Sequence, residues 1–168
     1  ATLARRILAA GVQLDWVMFW EDMAYNHGSL ISPRLYRRHC LPFYQVLVDL
    51  VRSHGVPVIG LDSDGNIEEL LPLWLDAGIA LMHPMEVAAG MDVRVARRRF
   101  GRNVTFLGGI DKRALAAGPR AIDAEVIPKV RALQEAGGGF IVQCDHAVPP
   151  DVSLDNFRYF HERVRMLF

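Results

Sequence analysis

Asp62, Ser63 and Asp64 directly follow the apolar run Val56–Leu61. Carboxylates two residues apart on an extended backbone point to the same side. Such a pair can hold a metal ion, bind a cationic group, or share a proton with one pKa raised. In the competing reading, Asp64 caps a following helix and Asp62 bonds to backbone. His146 comes after Cys144 and Asp145, behind another apolar run, Phe140–Val142. An imidazole there can ligate a metal, donate a proton or face an anion, or it can simply bond a loop carbonyl. Glu21-Asp22 follows Leu14–Trp20 in the same way. At least one of these two acids is expected to point into a site, the other pairing with Arg34 or Arg37.

Further polar groups recur at equivalent places. His83 and Glu86 follow the run Gly78–Met82 and are read as supporting groups. Gly108-Gly109 follows Val104–Leu107 and permits close backbone approach to a ligand. Its spacing matches neither a dinucleotide fingerprint nor a phosphate loop. Asp111 can cap the next helical turn, and Lys112 can meet a carboxylate. Glu21, Asp62 and His146 are the catalytic candidates; Asp22, Ser63, Gly109 and Asp111 are the substrate-binding candidates; Asp62, Asp64 and His146 are the metal candidates. Cys144 reads as a small buried apolar residue. Asp92 reads as a cap, and the run Arg94, Arg97, Arg98, Arg99 and Arg102 as a solvated face. His39, His54 and His161 fall in helices or at helix ends and read as structural.

Five times an apolar run ends in polar residues, and each time a helix-like stretch follows. That order marks a parallel α/β layout, in which groups spread along the chain converge at the C-terminal ends of the strands. Residues 2–10 read as a helix, with Ala1 already inside its pattern. Ser32-Pro33 reads as an N-cap followed by Pro at the first helical position. The helix it opens runs toward His54, with Pro42 as a kink or break. Residues 25–31 read as a loop, 67–77 as a leucine-rich helix, 93–100 as a short basic helix, and 120–136 as a helix after the Gly118-Pro119 break. Ser153 would cap the last helix, 154–167.

The chain has 168 residues, 51% of them hydrophobic, so it can bury a real core and does not read as disordered. Lys+Arg and Asp+Glu both count 19, which argues against a broad nucleic-acid surface. No apolar run reaches membrane-spanning length. Two cysteines do not make a disulfide framework, and a reducing cytoplasm is the expected setting. The missing initiator methionine points to a piece of a longer protein. Five strands suit either a small open sheet or the back part of a barrel.

Taken together, several stretches resemble the C-terminal half of the uroporphyrinogen decarboxylase superfamily. They are Glu21-Asp22 followed by Gly28–Pro33, then Asp62–Ile67, Glu86–Asp92, Leu107–Lys112 and His146–Asn156, in order along nearly the whole chain. The resemblance implies a (β/α)8 barrel, with residues 1–168 as the C-terminal part of a single barrel domain, about five parallel strands with their helices. It implies one of two chemistries. Decarboxylases of this kind remove carboxylates from uroporphyrinogen with no cofactor. The methyltransferases activate a thiol on zinc and take methyl from a corrinoid on a partner protein. Their zinc ligands, a histidine and two cysteines, fall here on Asp62, Asp64 and His146, so the thiolates are absent and a divalent ion would meet harder ligands. The decarboxylase histidine falls on His146, but its flanking glycines are Asp145 and Ala147. The expected enzyme acts on a small molecule and is related to the methyltransferase branch. Uroporphyrinogen decarboxylation is the alternative, and a non-catalytic half-barrel that dimerises through open strand edges is a third reading.

Overall fold

The structure, a computed structural model, describes residues 2–168; the reading of Ala1 as helical lies outside them. Helix α1 (Thr2–Ala9) precedes strand β1 (Trp16–Trp20). A small antiparallel ribbon, β2 (Ala24–Tyr25) with β3 (Gly28–Ser29), occupies the stretch expected to be loop. Helices α2 (Pro33–His39) and α3 (Leu41–Ser53) follow, then β4 (Val58–Asp62), α4 (Leu71–Ala77) and β5 (Leu81–His83). The remainder is α5 (Val93–Phe100), β6 (Thr105–Ile110), α6 (Lys112–Ala117), α7 (Pro119–Glu135), β7 (Phe140–Cys144) and α8 (Leu154–Arg165).

The main sheet has five strands in the order β1-β4-β5-β6-β7, every neighbouring pair parallel. This is a partial barrel of the expected kind, with helices between successive strands. Register matters most at the C-terminal ends. Trp20 lies opposite Asp62, and Asp62 opposite His83. Side chains alternate along a strand. Asp62 therefore shares the face of Val58, which is 42% exposed, while Ile59 and Leu61 are buried beneath the sheet. The apolar core lies between the sheet and α2 to α5, with a second cluster where α6, α7 and α8 meet β7.

Local signals explain most element ends. Ser32 Oγ accepts the Leu35 N–H, with Pro33 at the helix start. Pro42 does not merely kink the expected long helix: it separates α2 from α3 at Cys40, because it has no N–H to continue the ladder. Asp92, Asp111 and Ser153 cap α5, α6 and α8. Helix α4 starts later than expected, at Leu71, and its N-cap position is Leu70, so Asp64 is not its cap.

One expectation fails outright. Arg97, read as part of a solvated basic face, is only 5% exposed. Its guanidinium donates to the carbonyls of Gly101, Gly138 and Gly139 and lies 5.1 Å from the centre of the Phe106 ring. The glycine-rich turn into β7 supplies the carbonyls of Gly138 and Gly139, the latter also accepting the Phe106 N–H, and a guanidinium fork can reach several carbonyls at once.

Candidate active site

The polar clusters meet at one end of the sheet, where backbone bonds tie the strand exits together. The Ser63 N–H donates to the His83 carbonyl at 2.9 Å, and the Asp145 N–H to the Ile110 carbonyl at 2.8 Å. A large depression, about 650 Å³, lies elsewhere. It is lined by Trp16, Val58, Leu81 and Thr105, the first residues of their strands, and is mostly apolar. The chemistry-bearing residues are at the opposite end.

Asp64, Glu86 and His146 each place one ligand atom there, and the three atoms lie within 4.8 Å of one another. His146 Nε2 is 3.2 Å from Asp64 Oδ1. Glu86 Oε2 accepts the Gly65 N–H at 2.7 Å, which ties its carboxylate to the loop carrying Asp64. Asp22 Oδ1 accepts the Asp64 N–H at 3.1 Å. Ser63 is buried, and its hydroxyl donates to the Asp64 carbonyl at 3.3 Å. Asp22 and Ser63, the substrate-binding candidates nearest this group, thus hold the loop that presents Asp64. Burial pushes the Asp64 carboxyl above its ordinary value. His146 opposes that push, while Asp22, Glu86 and Asp62 add to it.

Asp62 has a different neighbour. Its Oδ1 lies 3.1 Å from His83 Nδ1, the residue opposite it in register. The contact is poorly aligned, and among the described residues His83 Nδ1 is buried with no well-formed hydrogen bond. Of the candidate ligands Asp62, Asp64 and His146, the structure brings the last two together and supplies Glu86 as the third group. Glu21 lines a separate depression with Phe19, His39, Cys40 and Tyr44. Burial, and then Asp22, raises its carboxyl pKa. Arg37 pairs with Asp76 rather than with either acid of that pair.

Gly109 and Asp111 are engaged within the fold. The Gly109 N–H donates to the Pro84 carbonyl, and its own carbonyl accepts from Lys129 Nζ at 2.8 Å. At Gly108, where φ is +106°, a Cβ would stand 2.2 Å from the Pro84 oxygen. The glycine pair therefore admits a neighbouring strand exit where the sequence suggested a ligand. Both Asp111 oxygens accept from Arg113. Burial alone would raise its carboxyl, but the bonds and charge of Arg113 together bring it below the usual range.

Two residues with a less obvious signal complete the cluster. Asp145 is fully buried. Its Oδ2 accepts the Val87 N–H at 2.9 Å and its Oδ1 the Lys112 N–H at 3.2 Å. Lys112 Nζ is 2.8 Å from His146 Nδ1. An ammonium only donates, so Nδ1 accepts and the remaining proton sits on Nε2, facing Asp64. The single sequence signal for either residue was position: both stand just after a strand, beside His146 or Asp111. Cys144 is buried and its thiol pKa is raised by burial; neither cysteine joins the three-residue group among the described residues.

A cluster of two carboxylates and an imidazole can bind a divalent cation or pass a proton between His146 and Asp64. Comparisons with known proteins bear on which. The family model "Uroporphyrinogen decarboxylase (URO-D)" matches residues 1–167. Uroporphyrinogen decarboxylase from Ectopseudomonas mendocina is 31% identical over 148 residues, 83% of this chain and 39% of that protein. The enzyme of the same name from Colwellia psychrerythraea is 28% identical over 165 residues, 95% of this chain and 43% of the relative. That from Alcanivorax borkumensis is 33% identical over 147 residues, covering 82% and 38%. The chain thus spans about two fifths of the length of these relatives. Among solved structures, a methyltransferase from Methanosarcina mazei superposes with a TM-score of 0.67 at 19% identity, over 99% of this chain and 46% of that one, a likeness of fold.

Proposed function

The chain belongs to the uroporphyrinogen decarboxylase family, and on that footing we propose that the whole enzyme is a metal-dependent methyltransferase whose cation is held by Asp64, Glu86 and His146. One observation carries the reading: the convergence of those three ligand atoms within 4.8 Å. Two carboxylate oxygens and an imidazole nitrogen suit a borderline or hard divalent ion, zinc included. The methyltransferase likeness in fold and the family resemblance support methyl transfer involving a corrinoid on a partner protein. When bound, the ion would act as a Lewis acid on a substrate oxygen or sulfur. Asp22 and Ser63 would keep Asp64 in place. Asp145 would orient His146. The missing thiolates distinguish this site from a zinc-thiolate centre of the usual kind.

Decarboxylation of uroporphyrinogen is the second reading, supported by decarboxylase relatives at 28% and 33% identity. In it His146 contacts a substrate carboxylate or relays a proton, and no metal takes part. The test is to offer the full-length protein methylcobalamin with a small thiol, with and without chelator, and uroporphyrinogen in parallel. Chelator-sensitive demethylation of the cobalamin is the expected result. Coproporphyrinogen formation that survives chelation, with no demethylation, would replace the first reading by the second.

A further inference from the structure

The buried carboxylate of Asp145 touches both of the elements that carry Glu86 and His146. Its Oδ2 holds the Val87 N–H, so the peptide next to Glu86 is fixed from the β7 exit. Its Oδ1 holds the Lys112 N–H and lies 3.6 Å from His146 Nδ1 and 4.0 Å from Lys112 Nζ. Asp145 and Lys112 therefore face the same imidazole nitrogen with opposite demands. Lys112 needs Nδ1 as an acceptor, which puts the ring proton on Nε2, toward Asp64. A cation held by Nε2 needs that nitrogen bare, which puts the proton on Nδ1, where a carboxylate can accept it.

We infer that Asp145 is the positioning residue of the cation site and that Lys112 opposes it, holding His146 in the tautomer that does not bind metal. With a cation on Nε2, Lys112 would release Nδ1, the ring proton would sit on Nδ1, and Asp145 Oδ1, now 3.6 Å away, would draw in to accept a hydrogen bond from that N–H. Solvent can carry that proton, because Lys112 and His146 are 27% and 25% exposed at the side chain. This inference rests on the metal reading above. Nothing in the ligand set alone would indicate it, because Asp145 supplies none of the three ligand atoms.

The test is a cobalt(II) titration of the full-length protein, read by the visible absorption of the bound ion. Four forms are compared: the native protein, Asp145→Asn, Lys112→Met and His146→Ala. Asp145→Asn is expected to weaken binding roughly 10- to 100-fold, the usual effect of losing the partner behind a ligating histidine. Lys112→Met is expected to tighten binding and leave the spectrum unchanged. A merely structural role would make both substitutions weaken binding. Unchanged affinity in Asp145→Asn, or weaker binding in Lys112→Met, overturns the inference; should Asp145→Asn not fold, Lys112→Met decides alone. No binding by the native protein, or equal binding by His146→Ala, would instead overturn the metal site itself.

Discussion

The sharpest test of the site asks which carboxylate joins Asp64 and His146. Spacing suggests Asp62; the structure supplies Glu86 and sets Asp62 against His83. A cation that binds only the folded state at about 100 times its Kd adds about 2.7 kcal/mol of stability. For a chain of 168 residues that raises the thermal midpoint by roughly 5–11 °C. Glu86→Gln removes one of two anionic ligands. A roughly 100-fold loss of affinity would leave the cation near its Kd, worth about 0.4 kcal/mol, and a shift of about 1–2 °C. Asp62→Asn should keep the full shift, because its carboxylate is not in the group. Differential scanning fluorimetry with zinc measures this. Each variant is read against its own metal-free midpoint, so the loss of the Gly65 N–H bond in Glu86→Gln cancels. If Asp62→Asn abolished the shift while Glu86→Gln kept it, the geometric assignment of the third ligand would be wrong.

Two further outcomes follow from the surrounding fold. Arg97→Met removes the charged hydrogen bonds to the Gly138 and Gly139 carbonyls, each worth about 1.5–3 kcal/mol, partly offset by removing a buried charge and by the Phe106 N–H that Gly139 keeps, so urea unfolding should show a net loss of about 1–3 kcal/mol. Arg97→Lys keeps the charge without the fork and should also lose stability; equality with the native protein would refute the fork argument. Asp111→Asn keeps a side-chain oxygen for the α6 cap but loses the charge that pairs with Arg113, so it should destabilise modestly at neutral pH. The folded carboxyl lies below its ordinary 3.8, so its contribution is complete above that value and is lost as pH falls through the depressed one. The gap between native and variant unfolding free energies should therefore close in acid, and a gap that widens there would contradict the pairing.

Much of this architecture is legible in the sequence. Short apolar runs closed by acids, glycines or histidines, each followed by a helical stretch, carry the strand order, and the five runs became the five strands of the sheet. Caps were readable too, because Ser32, Asp92, Asp111 and Ser153 act on backbone within three residues. Arg97 was not readable. A run of arginines shows only charge, and the carbonyls that bury this one come from a turn far along the chain. The glycine pair at 108 and 109 signalled close approach but not of what; the answer is the Pro84 backbone.

The sequence by itself determined that acids and imidazoles would gather at one end of a parallel sheet, because chain direction and strand polarity are local properties that the pattern repeats. Only the tertiary structure decided how they pair. Parallel register sets Asp62 opposite His83. Beyond the last paired residue register no longer rules, and the loop after β4 delivers Asp64 to His146 and brings Gly65 against Glu86. Partner choice at such an edge depends on where separate loops end in space, and residue spacing along one strand carries no information about that.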